Sequence, residues 1–267
     1  RTRSETKAPR IADEGLTQPI SITRVSPGYQ VALFLAQFGL FAALITPVVV
    51  SMQLKALELD PSNPAGIIGS VLPIGALGAL IANPLAGALS DRTRTRWGRR
   101  RPWLVGGIAL FFVALVWLAF AGSVTELMFA WLLAQVAANA TLATLTASFA
   151  DNVPEIQRGR SSSVIALAQN TSILAGTYLS VFFVSNLPVL FIAPGVLAIV
   201  AILIYAFVAK DELPEYQLKK FTFLNLIGSF WTNPLKNKDF AFAWWSRFLI
   251  TFASFMFTTY RLLYMQD

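Results

Sequence analysis

The chain has 267 residues, 55% of them hydrophobic and 13% charged, with a mean hydropathy of +0.60; soluble domains carry about 25% charge, so this is the composition of an integral membrane protein. It holds neither cysteine nor histidine, which excludes a disulfide framework, a thiol nucleophile and the common zinc sites. A formal charge of +7 would suit a nucleic-acid partner, but its distribution along the chain argues otherwise.

Residues 1–27 are polar, carry Arg1, Arg3, Lys7, Arg10 and Arg24, and lack the apolar core of a secretory leader; they read as a tail. About 20 apolar residues cross a bilayer, and the pattern predicts a first helix over 29–50. A loop with Asp60, Pro61, Asn63 and Pro64 leads to a second helix over 65–89, rich in glycine and proline. Then comes G-A-L-S-D-R-T-R-T-R-W-G-R-R-R-P-W at 87–103, with six arginines in ten residues and one acid, Asp91. So short a basic run cannot cross lipid, so it is a tight hairpin between membrane helices. Helices follow over 103–121 and, after a five-residue link, 127–150. A second charged hairpin, D-N-V-P-E-I-Q-R-G-R, fills 151–160, and helices over 161–184 and 189–208 flank a turn at 185–188. The connection 209–239 starts charged and then places Phe221, Leu224, Ile227, Phe230 and Trp231 at helical spacing, which reads as a short helix in the membrane interface. A seventh helix is predicted over 240–265.

Eighteen basic residues fall in the tail, the two hairpins and the long connection, against Lys55 alone on the other side; Arg247 and Arg261 lie in the seventh helix. The positive-inside rule then places the amino terminus in the cytoplasm. The charge is topogenic, and nucleic acid is not an expected partner. A seven-helix receptor has the opposite orientation, and a retinal protein needs a lysine in the seventh helix, where residues 240–265 have none. The expected fold is all-α integral membrane: a cytoplasmic tail at 1–27, a six-helix half at 28–208, a cytoplasmic linker with its amphipathic helix at 209–239, and at 240–267 the first helix of a second half. The chain reads as a piece of a longer protein whose other half is its missing partner.

Polar groups inside lipid are costly and often functional. The first six helices carry no mid-membrane charge; they carry amides. Gln37 lies in helix 1, Gln135 and Asn139 four apart in helix 4, and Gln169 and Asn170 in helix 5. At 1.5 Å per residue, Gln37 and Gln169 sit roughly 12 Å from the arginine-side helix ends and Asn139 roughly 16 Å. Amides offer donors and acceptors without charge, and with Phe34 and Phe41 beside them they suit a neutral, hydroxyl-rich, sugar-like solute. The plainer reading of each amide is a helix-to-helix hydrogen bond. Arg261, flanked by Tyr260 and Tyr264, is a further candidate for the cavity, while Arg247 reads as a snorkelling side chain. The threonines and serines of helices 4 and 5 read as bonded back to their own helices.

Gly87, Asp91, Arg92, Gly98, Arg99 and Arg100 resemble the signature between helices 2 and 3 of the major facilitator superfamily. The longer spelling S-D-R-x-x-x-R-x-G-R-R-R-P, with N-P-L-A-G-A-L-S-D before it, D-N-V-P-E-x-x-R-G-R at 151–160 and N-P-L-K-N-K-D-F at 233–240, resembles its sucrose-transporter and glycoside–cation symporter branch. The resemblance implies a secondary transporter in the plasma or inner membrane, with two six-helix halves rocking about a midplane site. Helices 1, 4, 7 and 10 of that family line the cavity. It also implies that Asp91 is a latch acid on the cytoplasmic side, engaging a helix end of the other half, with Arg92, Arg99 and Arg100 as partners. Asp151, Glu155, Arg158 and Arg160 of the second hairpin join the same gating motif, whereas Arg94, Arg96 and Arg101 are mostly topogenic.

One departure bears on coupling. Plant sucrose transporters carry an acid in a helix 4 stretch like D-V-A-N-N, where this chain has Gln135-Val136-Ala137-Ala138-Asn139. An amide cannot cycle a proton. Coupling to H+ or Na+ then uses a residue of the other half or another ion, or is absent as in a uniporter. The Gly-Pro antiporter signature of helix 5 is missing around Gly176, which weakens the alternative of an exporter of drugs or other metabolites. A non-transporting scaffold or sensor is the other reading. No enzyme and no cofactor are expected.

Overall fold

A computed structural model describes residues 24–183, 185–211 and 238–264. The described residues form seven helices: α1 (Pro27–Leu59), α2 (Pro64–Arg92), α3 (Arg101–Phe120), α4 (Val124–Asn152), α5 (Glu155–Phe183), α6 (Leu187–Val208) and α7 (Lys238–Tyr264). α1 to α6 are each long and apolar enough to cross a membrane. Two compact units divide the chain, Arg1–Pro214 and Glu215–Asp267. The predicted interfacial helix of the connection lies outside the described residues.

Side chains at the helix starts explain where the observed ends depart from the predicted ones. Ser26 accepts from the Tyr29 amide with Pro27 in the first turn, and Asn63 accepts from the Gly66 amide with Pro64 next to it. Both caps place an acceptor on an otherwise orphaned N–H and a proline where its missing N–H does no harm. Ser123 accepts from the Glu126 amide while the Glu126 carboxylate accepts from Gly122 N at 2.7 Å, a capping-box arrangement. It starts α4 at Val124 and shortens the predicted five-residue link to 121–123. The second charged hairpin is mostly helical: Asp151 and Asn152 end α4, and Glu155 begins α5.

α1 is the largest correction. It does not stop near Val50 but continues to Leu59 over 33 residues, through a five-residue π-helical turn at Pro47–Ser51. Proline cannot donate to the helix ladder, and the ladder resumes with Met52 N bonding to Pro47 O. Lys55, predicted in an outer loop, is therefore helical; its side chain is 5% exposed and pairs with Glu58 at 3.2 Å. Beyond the helix, the Ser62 hydroxyl and then its amide bond to Asp60, holding that carboxyl below its ordinary range.

The principal packing contacts join α2 to α4, α4 to α3, α3 to α6, α6 to α1 and α1 to α5. The order along this arc is α2, α4, α3, α6, α1, α5. Exchanging α1–α3 with α4–α6 leaves the order unchanged apart from direction, so the bundle is a pair of three-helix repeats with α3 and α6 at the centre. Trp131, Tyr205, Phe111 and Phe191 are its largest fully buried side chains. α2 and α5, at the ends of the arc, are the least buried of the six.

Glycine allows α2 and α4 to pack closely. A Cβ on Gly78 would lie 2.6 Å from Leu132 and 3.2 Å from Val136, and one on Gly75 would strike the Trp131 indole and Gln135. In α7, Trp244, Phe248 and Phe252 stack at 5.4 and 6.0 Å along one face, with Trp245 edge-on to Trp244.

Gly78→Leu should destabilise the full-length protein by roughly 1–3 kcal/mol through overpacking, read as a lower unfolding temperature in detergent. Gly106→Leu, at a position whose Cβ would meet nothing within 4 Å, should leave that temperature nearly unchanged.

Candidate functional site

Two stretches of polar contact stand out: amides along the helices, and a charged cluster at the end of the bundle that carries the arginine hairpin. α1 and α5 run parallel and are joined at three levels. Gln30 Nε2 donates to Ser161 Oγ at 2.7 Å, Gln169 Nε2 donates to Gln37 Oε1 at 3.2 Å, and Gly176 lets Thr46 approach closely. Gln37 is 1% exposed.

The amides of α4 behave differently. Asn139 Nδ2 donates to the Gln135 carbonyl at 2.9 Å and to Gln135 Oε1 at 3.0 Å. Both residues are half-buried, and the adjoining Trp131 indole N–H is buried with no hydrogen-bond partner. Asn170 is exposed and donates to Ala166 O at 2.8 Å, back into its own helix. The five amides therefore form a pair across α1 and α5, a pair along α4 and one residue turned to its own backbone. Among the described residues no hydrogen bond links the two pairs. Thr141, Thr144, Thr171 and Thr177 are back-bonded to their helices, as their residue type suggests. Arg247 is exposed on α7, and the side chain of Arg261 lies outside the described residues.

At the charged end, Arg100 is the centre. Its side chain is 5% exposed, and it spends all three guanidinium nitrogens: Nη2 on Asp91 at 2.5 Å, Nε on Asp151 at 3.0 Å and Nη1 on Ser90 at 2.7 Å. Arg99 Nη2 reaches Asp151 at 2.7 Å. The hairpin acid thus pairs with Arg100, and Arg99 serves the acid of the second hairpin. Arg92 Nη1 donates to Ala88 O at 2.7 Å. Arg158 is exposed, 3.5 Å from Glu155, with Nε on Val153 O at 3.3 Å, and Arg160 is exposed. Gly87 faces open space, since a Cβ there would meet nothing within 4 Å.

Asp211, just beyond α6, is in the sequence one charge among several at the start of the connection. Its Oδ2 accepts from Arg100 N and Arg101 N, both at 2.8 Å, and so caps α3. Gly98, at φ +104°, makes room for it; a Cβ there would collide with the Asp211 carboxylate. Arg101 Nη2 donates to Ala209 O at 3.1 Å, and Asn152 bonds both backbone groups of Lys210. The signal was present: the residues before α3 are Gly-Arg-Arg, with no Ser, Thr, Asp or Asn to cap it, so its first amides need an acceptor from elsewhere. Below this layer, Tyr205 joins Tyr29 and Ser148, each at 3.0 Å, tying α1, α6 and α4.

Arg100→Leu should lower stability by about 2–3 kcal/mol, less than for a fully enclosed pair because Asp91 and Asp151 are more than a third exposed. Arg100→Lys should recover only part of it, because one ammonium cannot reproduce the fork to three partners. Asp211→Ala should cost about 1–2 kcal/mol as a lost helix cap. Thermal unfolding of the purified full-length variants measures all three.

Residues 29–267 match the sequence profile of the Major Facilitator Superfamily. The chain is 45% identical over 80 residues to an uncharacterized symporter of Synechocystis, a match covering 28% of this chain and 15% of that protein. It is 40% identical over 53 residues to the Escherichia coli inner membrane symporter YicJ, covering 20% and 12% of the two chains. A human membrane-associated transporter protein is 38% identical over 79 residues, covering 29% and 13%. Each match spans less than a sixth of the relative's length. With its helices, its arginine hairpin and nearly its whole length fitting one profile, the chain belongs to the Major Facilitator Superfamily.

Proposed function

We propose that the chain is the amino-terminal half, with the first helix of the carboxyl-terminal half, of a secondary transporter that moves a sugar or glycoside by alternating access. The observation that carries this reading is the Gln37–Gln169 pair. It places a neutral donor–acceptor group between two helices of a bundle whose described charges cluster at the helix ends. Gln37 is enclosed and holds the half-buried Gln169 amide in place, and that amide can bond hydroxyls without requiring charge on the solute. Gln135 and Asn139 on α4, both half-buried, supply the second group. Asn170, and Arg261 on α7, are further contacts on this reading.

Cation coupling, by H+ or Na+, is supported by the symporter names of two relatives. Since Gln135 is not ionisable, the coupling group belongs to the other half. The arginine end lies in the cytoplasm, α7 spans the membrane, and the plasma or inner membrane is the location. Gly87 and Asp91 lie four residues apart on one face of α2. Gly87 is open and Asp91 remains 40% exposed while its partner Arg100 is enclosed. That face suits a helix end of the other half, where a carboxylate meets a positive dipole; Asp91 is the latch acid, and the paired cations Arg99 and Arg100 hold the loop around it. Arg92, Arg158 and Arg160, with Gly98, Asp151 and Glu155, complete the gating surface.

Full-length protein in proteoliposomes should take up labelled disaccharide or monosaccharide saturably, faster under an imposed proton or sodium gradient. Transport of another solute with no sugar movement would overturn the substrate class. Gln37→Leu should lower uptake roughly tenfold, the scale of one lost polar contact. Asp91→Asn should slow uptake without changing membrane insertion, and an unchanged rate would remove the latch role. Reporter fusions at residues 95 and 225 should both report the cytoplasm; either one found outside contradicts the orientation.

A further inference from the structure

A groove of about 450 Å³ opens where the polar ends of α3 and α6 meet. Val105 of α3 and Leu203 and Phe207 of α6 supply its apolar wall, and Arg96, Trp97 and Arg101 supply its polar end. Phe207 is 81% exposed and Trp97 68%, so the groove is on the outer surface of the bundle.

The two cations are not used by the cluster beside them. Asp91 and Asp151 pair with Arg99 and Arg100, Asp211 accepts from the Arg100 and Arg101 amides, and among the described residues neither Arg96 nor Arg101 has a side-chain salt bridge. Arg101 gives Nη2 to Ala209 O, but its Nε is buried with no hydrogen-bond partner. An enclosed guanidinium N–H without an acceptor is unfavourable. Among the described residues that line the groove there is no acid. Two cations at the mouth of an apolar groove suit an anion, and the apolar wall suits one that brings hydrocarbon with it.

We propose that this groove seats an anionic phospholipid. Its charged headgroup lies against Arg96 and Arg101, and one acyl chain lies along Val105, Leu203 and Phe207. Basic pockets between membrane helices bind acidic headgroups in this manner, and an indole such as Trp97 is favoured at headgroup level. A soluble anion would satisfy the arginines but leave the apolar wall bare. A zwitterionic lipid would cover the wall but bring a competing cation to the arginines. The site does not depend on which solute the protein carries.

The test is native mass spectrometry of the purified full-length protein, titrated separately with phosphatidylglycerol, phosphatidylcholine and inorganic phosphate. Phosphatidylglycerol should be retained in preference to phosphatidylcholine and should resist excess phosphate. The double variant Arg96→Gln/Arg101→Gln should weaken its binding roughly tenfold or more, the scale of two cations at an anionic surface. Leu203→Trp, which fills the groove and leaves every charge in place, should weaken it too and keeps the test open if the double variant does not fold. Lys210→Gln removes a cation that does not line the groove and should change nothing. Equal retention of the two lipids, displacement by phosphate, insensitivity to both groove variants or an equal loss with Lys210→Gln would each overturn the proposal.

Discussion

A guanidinium taken out of water must find its charge and hydrogen bonds met at once, or the fold loses more than it gains. Arg100 meets that condition from three sources: Asp91 at the end of α2, Asp151 at the end of α4 and Ser90 beside Asp91. Its own backbone N–H, with that of Arg101, binds Asp211 after α6. One residue thus fixes the ends of four helices relative to one another. Gly98 follows from it, since only a residue without a Cβ fits between the turn and the Asp211 carboxylate. The arginine hairpin is a structural clamp within this unit as well as a run of positive charge.

The clamp gives the remaining polarity of the bundle a physical setting. With the charged groups gathered at helix ends, the helix interiors are left with amides, hydroxyls and aromatics. The repeat symmetry of the packing puts α1 and α4 in equivalent places, and those are the helices that carry Gln37 and the Gln135–Asn139 pair. The equivalent amides are partnered differently, one across to α5 and the other along its own helix.

Much of this was legible in the sequence. Runs of about 20 apolar residues marked α1 to α6, because lipid demands that every backbone group bond within its own helix. The hairpin spelling pointed to the family, and the amide positions to α1, α4 and α5. The ends were harder. α1 continues past Val50 because a π turn absorbs Pro47, and hydropathy does not report such turns. Pairing was harder still. Composition presents Arg92, Arg99 and Arg100 as equals beside Asp91, and only the arrangement of three helix ends in space selects Arg100. Asp211 is far from the hairpin in sequence, and its role shows only once α3 is recognised as lacking a cap of its own.

The clamp around Arg100 should hold the charged end of residues 24–211, from the arginine hairpin to the turn between α4 and α5, together as one body. These 267 residues contain no cysteine, so one introduced cysteine at each chosen position, with any cysteine elsewhere in the full-length protein replaced, defines the labelled sites. Trp97 on the hairpin and Ile156 at the start of α5 are both well exposed, at 68% and 73%. Pulsed electron paramagnetic resonance on the full-length protein labelled at these two positions should give one narrow distance distribution, the same with and without transported solute. A distribution that shifts or splits on adding solute would show that the clamp opens.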